Sequence, residues 1–543
     1  MSRIKGIASA LEKQETVRHT IPMGRMPKIE RINRVSNKVR GLKVREKSRC
    51  GMPFRQCIAS LTTLIMVGCA GGSGPQWERT EKIPQVFLGG VAADEARAAL
   101  VGKDILSAGG SSADAAVAMA FALMVSRPDA AGPGGGGICV HYDKNSNKAE
   151  TLVFFPKASE KNPPKGRWSA PVPGSFRGLF SLHARYGRLR WEQMVQPAER
   201  AARFGWPISK GLFSALRNGG TREIKDERTR NIFSASRDRF LSFGKTVKQF
   251  SLAGTLGAVR RLGPGDFYSG KLARMFVDGV LEAGGWIAIE DLRSYRPVWK
   301  KTVQARSGYH TLHFPFSNKL GIRIAHGIWT QIGNKPVFSS SSETQKAALL
   351  AAATRNVSKL KDHKFAKIGG SVGLFSMDVS GNATSCTLTM NRSFGLGVMA
   401  GETGIILAAP LEAESSLSIA PVIMANHNIA RALLAATAAG DQYAGIVLAS
   451  TLMRVLDGKV PVEEALAKPR YAPGLNPTNI IVEKSLGRGE REAMIKKGLE
   501  LHTRYSIGQV NLIFCYLDIE DRVKNCVLRT DPRTAAYGVN SEF

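Results

Sequence analysis

Three features of this 543-residue chain combine residue types and spacing that could carry chemistry. Arg55 precedes an apolar stretch over 58–67, which runs into Met66-Val67-Gly68-Cys69. That stretch is too short to cross a bilayer and has the length of a secretory h-region. Its last four residues resemble a bacterial lipobox, with Met where Leu is commonest, which makes Cys69 the expected lipidated first residue of a mature protein. Setting aside Cys50, Cys57 and Cys69 leaves Cys139, Cys386, Cys515 and Cys526. Their spacing is not that of metal ligands, so they read first as small buried apolar residues. Cys515 and Cys526 flank an expected hairpin turn, which leaves an oxidised pair open in an oxidising compartment. The third feature is the glycine loop in PGGGGICVHYD. A phosphate-binding loop needs Gly-Lys-Ser/Thr and a following helix; both are missing, so the glycines read as sites of close backbone packing.

The elements that position these residues alternate between helical and extended patterns. Residues 93–106 and 112–125 read as two Ala-rich helices broken at Gly109-Gly110, with Ser111 or Ser112 capping the second. The second is apolar nearly all round and is expected to be buried. A strand follows over 138–142, several helices over 175–218, a charged exposed connection over 223–240, and helices over 252–261, 270–283 and 344–353. Extended segments are expected at 301–306 and 310–314. Beyond Lys364, strands over 372–379 and 383–390 with Ser380-Gly381 between them read as a hairpin. Helices near 428–438 and 444–456 and strands at 479–482, 510–517 and 525–528 complete a mixed pattern. Hairpins favour helices packed on antiparallel sheets over a doubly wound parallel sheet.

With 43% apolar residues the chain can bury a large core, which excludes a disordered, fibrous or disulfide-dense class. Its 76 Lys and Arg against 44 Asp and Glu give a net charge of +32. Residues 1–51 alone hold 14 Lys and Arg against 4 Glu, the composition of a solvated tail or of a leader ahead of the true start at Met52. The remaining excess reads as a basic surface attracted to anionic lipid or polysaccharide, not as a nucleic-acid site, since zinc-finger, RNP and basic-heptad patterns are all missing. No residue cluster calls for a metal or organic cofactor.

Several blocks, in order, resemble the γ-glutamyltranspeptidase family of N-terminal-nucleophile hydrolases. They are GGVAADEARAALVGKDILSAGGSSADAAVAMAFALMV with PGGGGICVHYD, then APVPGSFRGLFSLHARYGRLRWEQMVQPAERAARFGWPIS, GPGDFYSGKLARMFVDGVLEAGGWIAIEDLRSYRPVW, SMDVSGNATSCTLTMNRSFGLGVMAGETGIIL and TDPR, covering most of 87–533. The resemblance implies an α+β fold, a four-layer αββα sandwich, made as a precursor that cuts itself once to give a large and a small subunit. Ser371 stands where the family has the first residue of its Thr-Thr-His motif. The implied cut lies between Gly370 and Ser371, after a leader (1–51), signal (52–68) and tether (69–86), and divides 87–370 from 371–543. Ser can replace Thr in this role, because a freed α-amine beside a hydroxyl serves as its own general base. Read alone, Gly369-Gly370-Ser371 is a loop entering a strand.

Thr389 and Asn391 fall on the family's Thr-x-Asn, which implies that Thr389 hydrogen-bonds the nucleophile and Asn391 holds the substrate; strand alternation puts both on one face. The family's Ser-Ser pair corresponds either to Ser415-Ser416 or to Leu417-Ser418. Its Gly-Gly oxyanion segment aligns with Gly440-Asp441-Gln442-Tyr443-Ala444, which brings Gln442 and Tyr443 to that region. The departures concern glutamate recognition. Val153-Phe154-Phe155-Pro156 replaces the segment whose Arg clamps the substrate carboxylate, with Lys157 the nearest substitute. Ala408-Ala409-Pro410-Leu411-Glu412-Ala413 replaces the polar run that grips the α-ammonium, leaving Glu412 or Glu414 there. Val372-Gly373 replaces the second Thr and the His. The leading expectation is an envelope amidohydrolase or acyltransferase, anchored through lipid on Cys69, acting on a small γ-glutamyl or related acyl amide through a Ser371 ester. The alternative is a catalytically impaired relative serving as an envelope binding or scaffold protein.

Overall fold

The computed structural model describes residues 89–236, 239–358, 370–410, 418–474, 476 and 478–540. The expected leader, signal and tether, with Cys69, lie outside the described residues, as do Glu412, Glu414, Ser415 and Ser416. Two large sheets are built from β1 (Gly89–Ala93), β2 (Gly136–Asp143), β3 (Lys148–Val153), β4 (Val298–Lys301), β5 (Val303–Ser307), β6 (His310–Phe314), β7 (Ser371–Asp378), β8 (Ala383–Thr389), β9 (Ala420–Asn426), β10 (Arg431–Ala439), β11 (Gln509–Leu517), β12 (Val523–Arg529) and β13 (Tyr537–Asn540). The first has seven strands in the order β4-β3-β2-β8-β7-β1-β13, and the second has six in the order β5-β6-β9-β10-β11-β12. Neighbouring strands in both are antiparallel.

The central strands lie face to face, β7 and β8 against β10. Helices α1 (Ala96–Ser107) and α2 (Ser112–Ser126) cover the outer face of the first sheet, while α3 (Leu320–Ile332) and α4 (Ala444–Leu452) cover that of the second. The result is the expected αββα sandwich. Strand alternation divides β7 between two cores: Val372 and Leu374 face the helices on the outer side, and Phe375 and Met377 face the second sheet. Both faces being covered, β7 and β8 lack the polar-out alternation of a surface hairpin.

Helix α2 is buried along its whole length and starts from a capping box of Ser111 and Asp114. The glycine loop is packing, as expected: a Cβ on Gly134 would lie 2.2 Å from the Ile406 carbonyl oxygen, and one on Gly136 2.1 Å from that of Phe154.

Three sequence readings need correction. The stretch 428–438 is not helical; it is mostly β10, buried at every residue but Arg431. Its alanines have high helix propensity, but the narrow space between facing sheets selects the same small side chains. The connection over 223–240 is not simply exposed, because it contains the helix Glu227–Phe233 and buries Ile224, Thr229 and Phe233. Cys139 and Cys386 are not free buried thiols, since they form a disulfide across the directly opposed β2 and β8 positions. Cys515 and Cys526 form a second across β11 and β12.

Gly373, two residues into β7, fixes how closely the sheets approach beside Ser371. A Cβ there would lie 2.3 Å from Thr437 Oγ1 of β10. Gly373→Ala is expected to cost about 1–3 kcal/mol of unfolding free energy by overpacking. In a double-mutant cycle read by urea denaturation, Thr437→Gly should remove most of that cost; additive effects would place the strain elsewhere.

Candidate functional site

Ser371 opens β7 directly opposite Thr389, the last residue of β8. Its hydroxyl donates to Thr389 Oγ1 at 2.9 Å. Thr389 Oγ1 donates onward to the Gly370 carbonyl oxygen at 2.8 Å and accepts the Asn391 backbone N–H at 2.8 Å. The Gly370 oxygen takes a second donor, the Met390 N–H, at 2.8 Å. Thr389 is fully buried, so its single hydroxyl proton and its lone pairs are all committed. Gly370 is left-handed at φ +85°, and a Cβ there would sit 2.4 Å from the Arg392 carbonyl carbon, so glycine is required before the serine. The arrangement places a hydroxyl one residue after a carbonyl polarised by two donors.

Asn391 is placed by a turn and not by strand alternation. Strand β8 stops at Thr389, and Asn391 adopts φ +64°. Its Nδ2 donates to the Ala409 oxygen at 2.7 Å, while its buried Oδ1 has no hydrogen-bond partner. An unpaired buried acceptor beside a hydroxyl relay suits a donor brought by a ligand.

Ser371 and Gly370 line a cavity of about 500 Å³ with Asp94, Arg127, Asp129 and Gly440. Arg127 makes two hydrogen bonds to Asp129, at 2.9 and 2.8 Å. Burial opposes its charge, but Asp129, Asp94 and Glu95 together hold the guanidinium above its ordinary value. Asp94 accepts from the Gly373 N–H at 2.7 Å and from Asn511 Nδ2 at 2.6 Å. Burial pushes its carboxyl above the usual range, against the lowering effect of Gly373, Arg127 and Asn511. These buried charges were not singled out from the sequence; the available signal was Arg127-Pro128-Asp129 between an all-apolar helix and the glycine loop.

A second cavity, of about 920 Å³, opens on the other side of the relay and includes Phe155, Asn391 and Pro410. Lys157 lines it too, but its ammonium pairs with exposed Glu160 at 2.6 Å. Ser418 Oγ donates to the Gln442 carbonyl at 2.9 Å, which ties the end of one segment to the turn after β10. The Tyr443 N–H goes to Asp441 Oδ1 at 2.9 Å, and Gln442 Nε2 pairs with the Tyr443 hydroxyl. Within this segment it is Gly440 that reaches the Ser371 cavity. Among the described residues, no group of three His, Cys, Asp or Glu side chains could hold a metal ion.

The family model described as gamma-glutamyltranspeptidase matches residues 98–328 and 330–537. Glutathione hydrolase 3 of Arabidopsis thaliana is 28% identical over 377 residues, 59% of this chain and 59% of its own length. The glutathione hydrolase proenzyme of Escherichia coli K12 is 28% identical over 379 residues, 59% of this chain and 65% of its own. The chain therefore spans less than two thirds of the length of these relatives. Among solved structures, a cephalosporin acylase from Bacillus halodurans superposes with a TM-score of 0.72 at 20% identity, over 87% of this chain and 99% of that one, a likeness of fold.

Because the folded pKa of Asp94 lies above its unfolded value, its ionised form is the one that folding penalises. The penalty is full above the folded pKa and fades as pH falls through it. Wild-type stability relative to Asp94→Asn should therefore rise as pH is lowered from about 7 toward about 4, as read by thermal unfolding. A gap that stays flat or shrinks would show that burial does not dominate this carboxyl.

Proposed function

Since this chain belongs to the gamma-glutamyltranspeptidase family, we propose that it is a self-processing amidohydrolase or acyltransferase with Ser371 as nucleophile and a γ-glutamyl or related acyl amide as substrate. The observation that carries this reading is the relay from the Ser371 hydroxyl through Thr389 to the Gly370 carbonyl. In the processing step Ser371 Oγ attacks the Gly370 carbonyl carbon, with charge on its oxygen met by the Met390 N–H and the Thr389 hydroxyl. The peptide C–N bond breaks, the nitrogen keeps the proton, and an ester forms. Water then cleaves the ester, leaving a Gly370 carboxylate and a Ser371 with both a free amine and its hydroxyl.

In turnover that amine takes the Oγ proton as Oγ attacks the substrate carbonyl, and the departing amine leaves with a proton. Water or an acceptor amine resolves the acyl-serine ester. Asn391 Oδ1, unpaired in the uncut chain, accepts a substrate N–H. The scaffold alternative is not favoured, because a hydroxyl relay aimed at one backbone carbonyl has no use in a passive binding domain.

Cys139 and Cys386 lie on opposite sides of the proposed cut, so the two fragments stay covalently joined until reduced. Two disulfides also fit an oxidising compartment, which supports the proposed envelope location with Cys69 as lipid anchor. Palmitate labelling that is lost in Cys69→Ala is the expected sign of that anchor, and label retained in the variant would rule it out.

Intact-mass analysis tests the nucleophile. Non-reduced wild type should be one species, one water heavier than the uncut chain. Reduction should release a fragment ending at Gly370 and another beginning at Ser371, while Ser371→Ala stays whole. Thr389→Val, which removes one donor to the carbonyl, should slow the cut by about 10²-fold. An uncut wild type would return the scaffold reading to first place.

A further inference from the structure

The cavity of about 920 Å³ beside Asn391 is larger and less polar than a zwitterionic amino-acid headgroup requires. Its walls carry four aromatic side chains, Phe155, Trp168, Tyr295 and Phe316. The wall is a built one: the Tyr295 hydroxyl donates to the Phe155 carbonyl at 3.0 Å, which fixes the segment that presents the Phe155 ring. Phe155 occupies the stretch where the family resemblance would place a carboxylate-clamping Arg.

The charges on the same wall have one sign. Lys157, Arg296, Lys300 and Lys319 line the cavity, and its lining contains neither Asp nor Glu. Lys319 is only 4% exposed, with its ammonium 5.0 Å from the centre of the Phe155 ring. Lys300 stands 5.0 Å from the centre of the Phe316 ring at the exposed edge. An α-ammonium in this space would meet like charges with no carboxylate on the wall to receive it, a penalty that falls on γ-glutamyl groups in particular. An apolar body would cover the rings, and a terminal anion would satisfy the cations.

Resting on Ser371 as the proposed nucleophile, we infer that this cavity is the acyl pocket and selects amides whose acyl group has an apolar, preferably aromatic, body ending in a carboxylate and lacking an α-ammonium. The scissile carbonyl lies toward Thr389 and Ser371, the scissile N–H meets Asn391 Oδ1, and the distal carboxylate reaches Lys319 with Lys300 at the rim. Phe155 and Lys319 are then the residues that set specificity. One acts by removing the clamp and supplying a ring face, the other by supplying a buried charge.

The test uses a matched set of p-nitroanilides carrying γ-glutamyl, glutaryl, pentanoyl and 4-carboxyphenylacetyl groups, with the processed wild-type protein. The expected order of kcat/KM is 4-carboxyphenylacetyl at or above glutaryl, with both at least tenfold above γ-glutamyl and pentanoyl. Lys319→Met should lower the ratio of 4-carboxyphenylacetyl to pentanoyl by at least tenfold. Lys300→Met, at an exposed position, should lower it in the same direction by less, and it stands in if the buried substitution does not fold. A γ-glutamyl preference, or ratios unmoved by both variants, overturns the inference.

Calorimetry on unprocessed Ser371→Ala protein separates this result from a failure of catalysis. Benzene-1,4-diacetate should bind at least tenfold more tightly than glutamate or phenylacetamide, and lose that advantage in Lys300→Met. If it does so while no anilide is cleaved, the pocket stands and the nucleophile reading falls. If it binds no better than glutamate, the pocket assignment falls even where the anilides are cleaved.

Discussion

The register of one hairpin decides the rest of the site. Ser371 must lie opposite Thr389, because only then does one buried hydroxyl take a proton from the serine and pass its own to the carbonyl just before it. A slip of one residue would turn Ser371 toward the helices and bring Val372 to the inner face. Two features far apart in sequence oppose such a slip. The Cys139–Cys386 bond fixes β8 against β2, and Gly373 provides the notch into which Thr437 of the second sheet fits. The Asp94 carboxylate adds a third hold on the Gly373 N–H, which explains why a charge is tolerated so deep in the fold.

The two cavities flanking the relay differ in electrostatic character. The one lined by Ser371 mixes signs, with Arg127 against Asp129 and Asp94 close by, so its charges are largely met within the protein. The one beyond Asn391 is cationic and aromatic, and its charges look outward to whatever enters. A site that neutralises itself on one side and leaves positive charge on the other orients an asymmetric ligand before any contact with the serine.

The sandwich and the nucleophile hairpin were legible because buried strands leave a strong local trace: apolar runs at 372–379 and 383–390 around Ser380-Gly381. The relay residues were legible through ordered motif blocks, not through chemistry that the residues display by themselves. What was missed depends on tertiary neighbours. Alanines at 432–439 favour a helix locally, and only the sheet across from them makes a strand of them. Asn391 looked like a strand residue until a left-handed turn carried it out of the ladder. Cys139 and Cys386 are 247 residues apart, and nothing local in either pairs them before the sheet does.

Strand β1 has β7 on one side and β13 on the other, so residues 89–93 wait for residues 537–540. The Ser371 cavity likewise takes part of its wall from Gln509, Arg533, Thr534 and Ala535. A chain delivered from its N-terminal end, by ribosome or translocon, therefore presents the serine long before its surroundings exist. Closure between such distant segments is slow and comes late in folding. The structure thus carries a clock: the serine's environment is completed by the last part of the chain to arrive, which keeps its hydroxyl out of a finished site until synthesis is almost over.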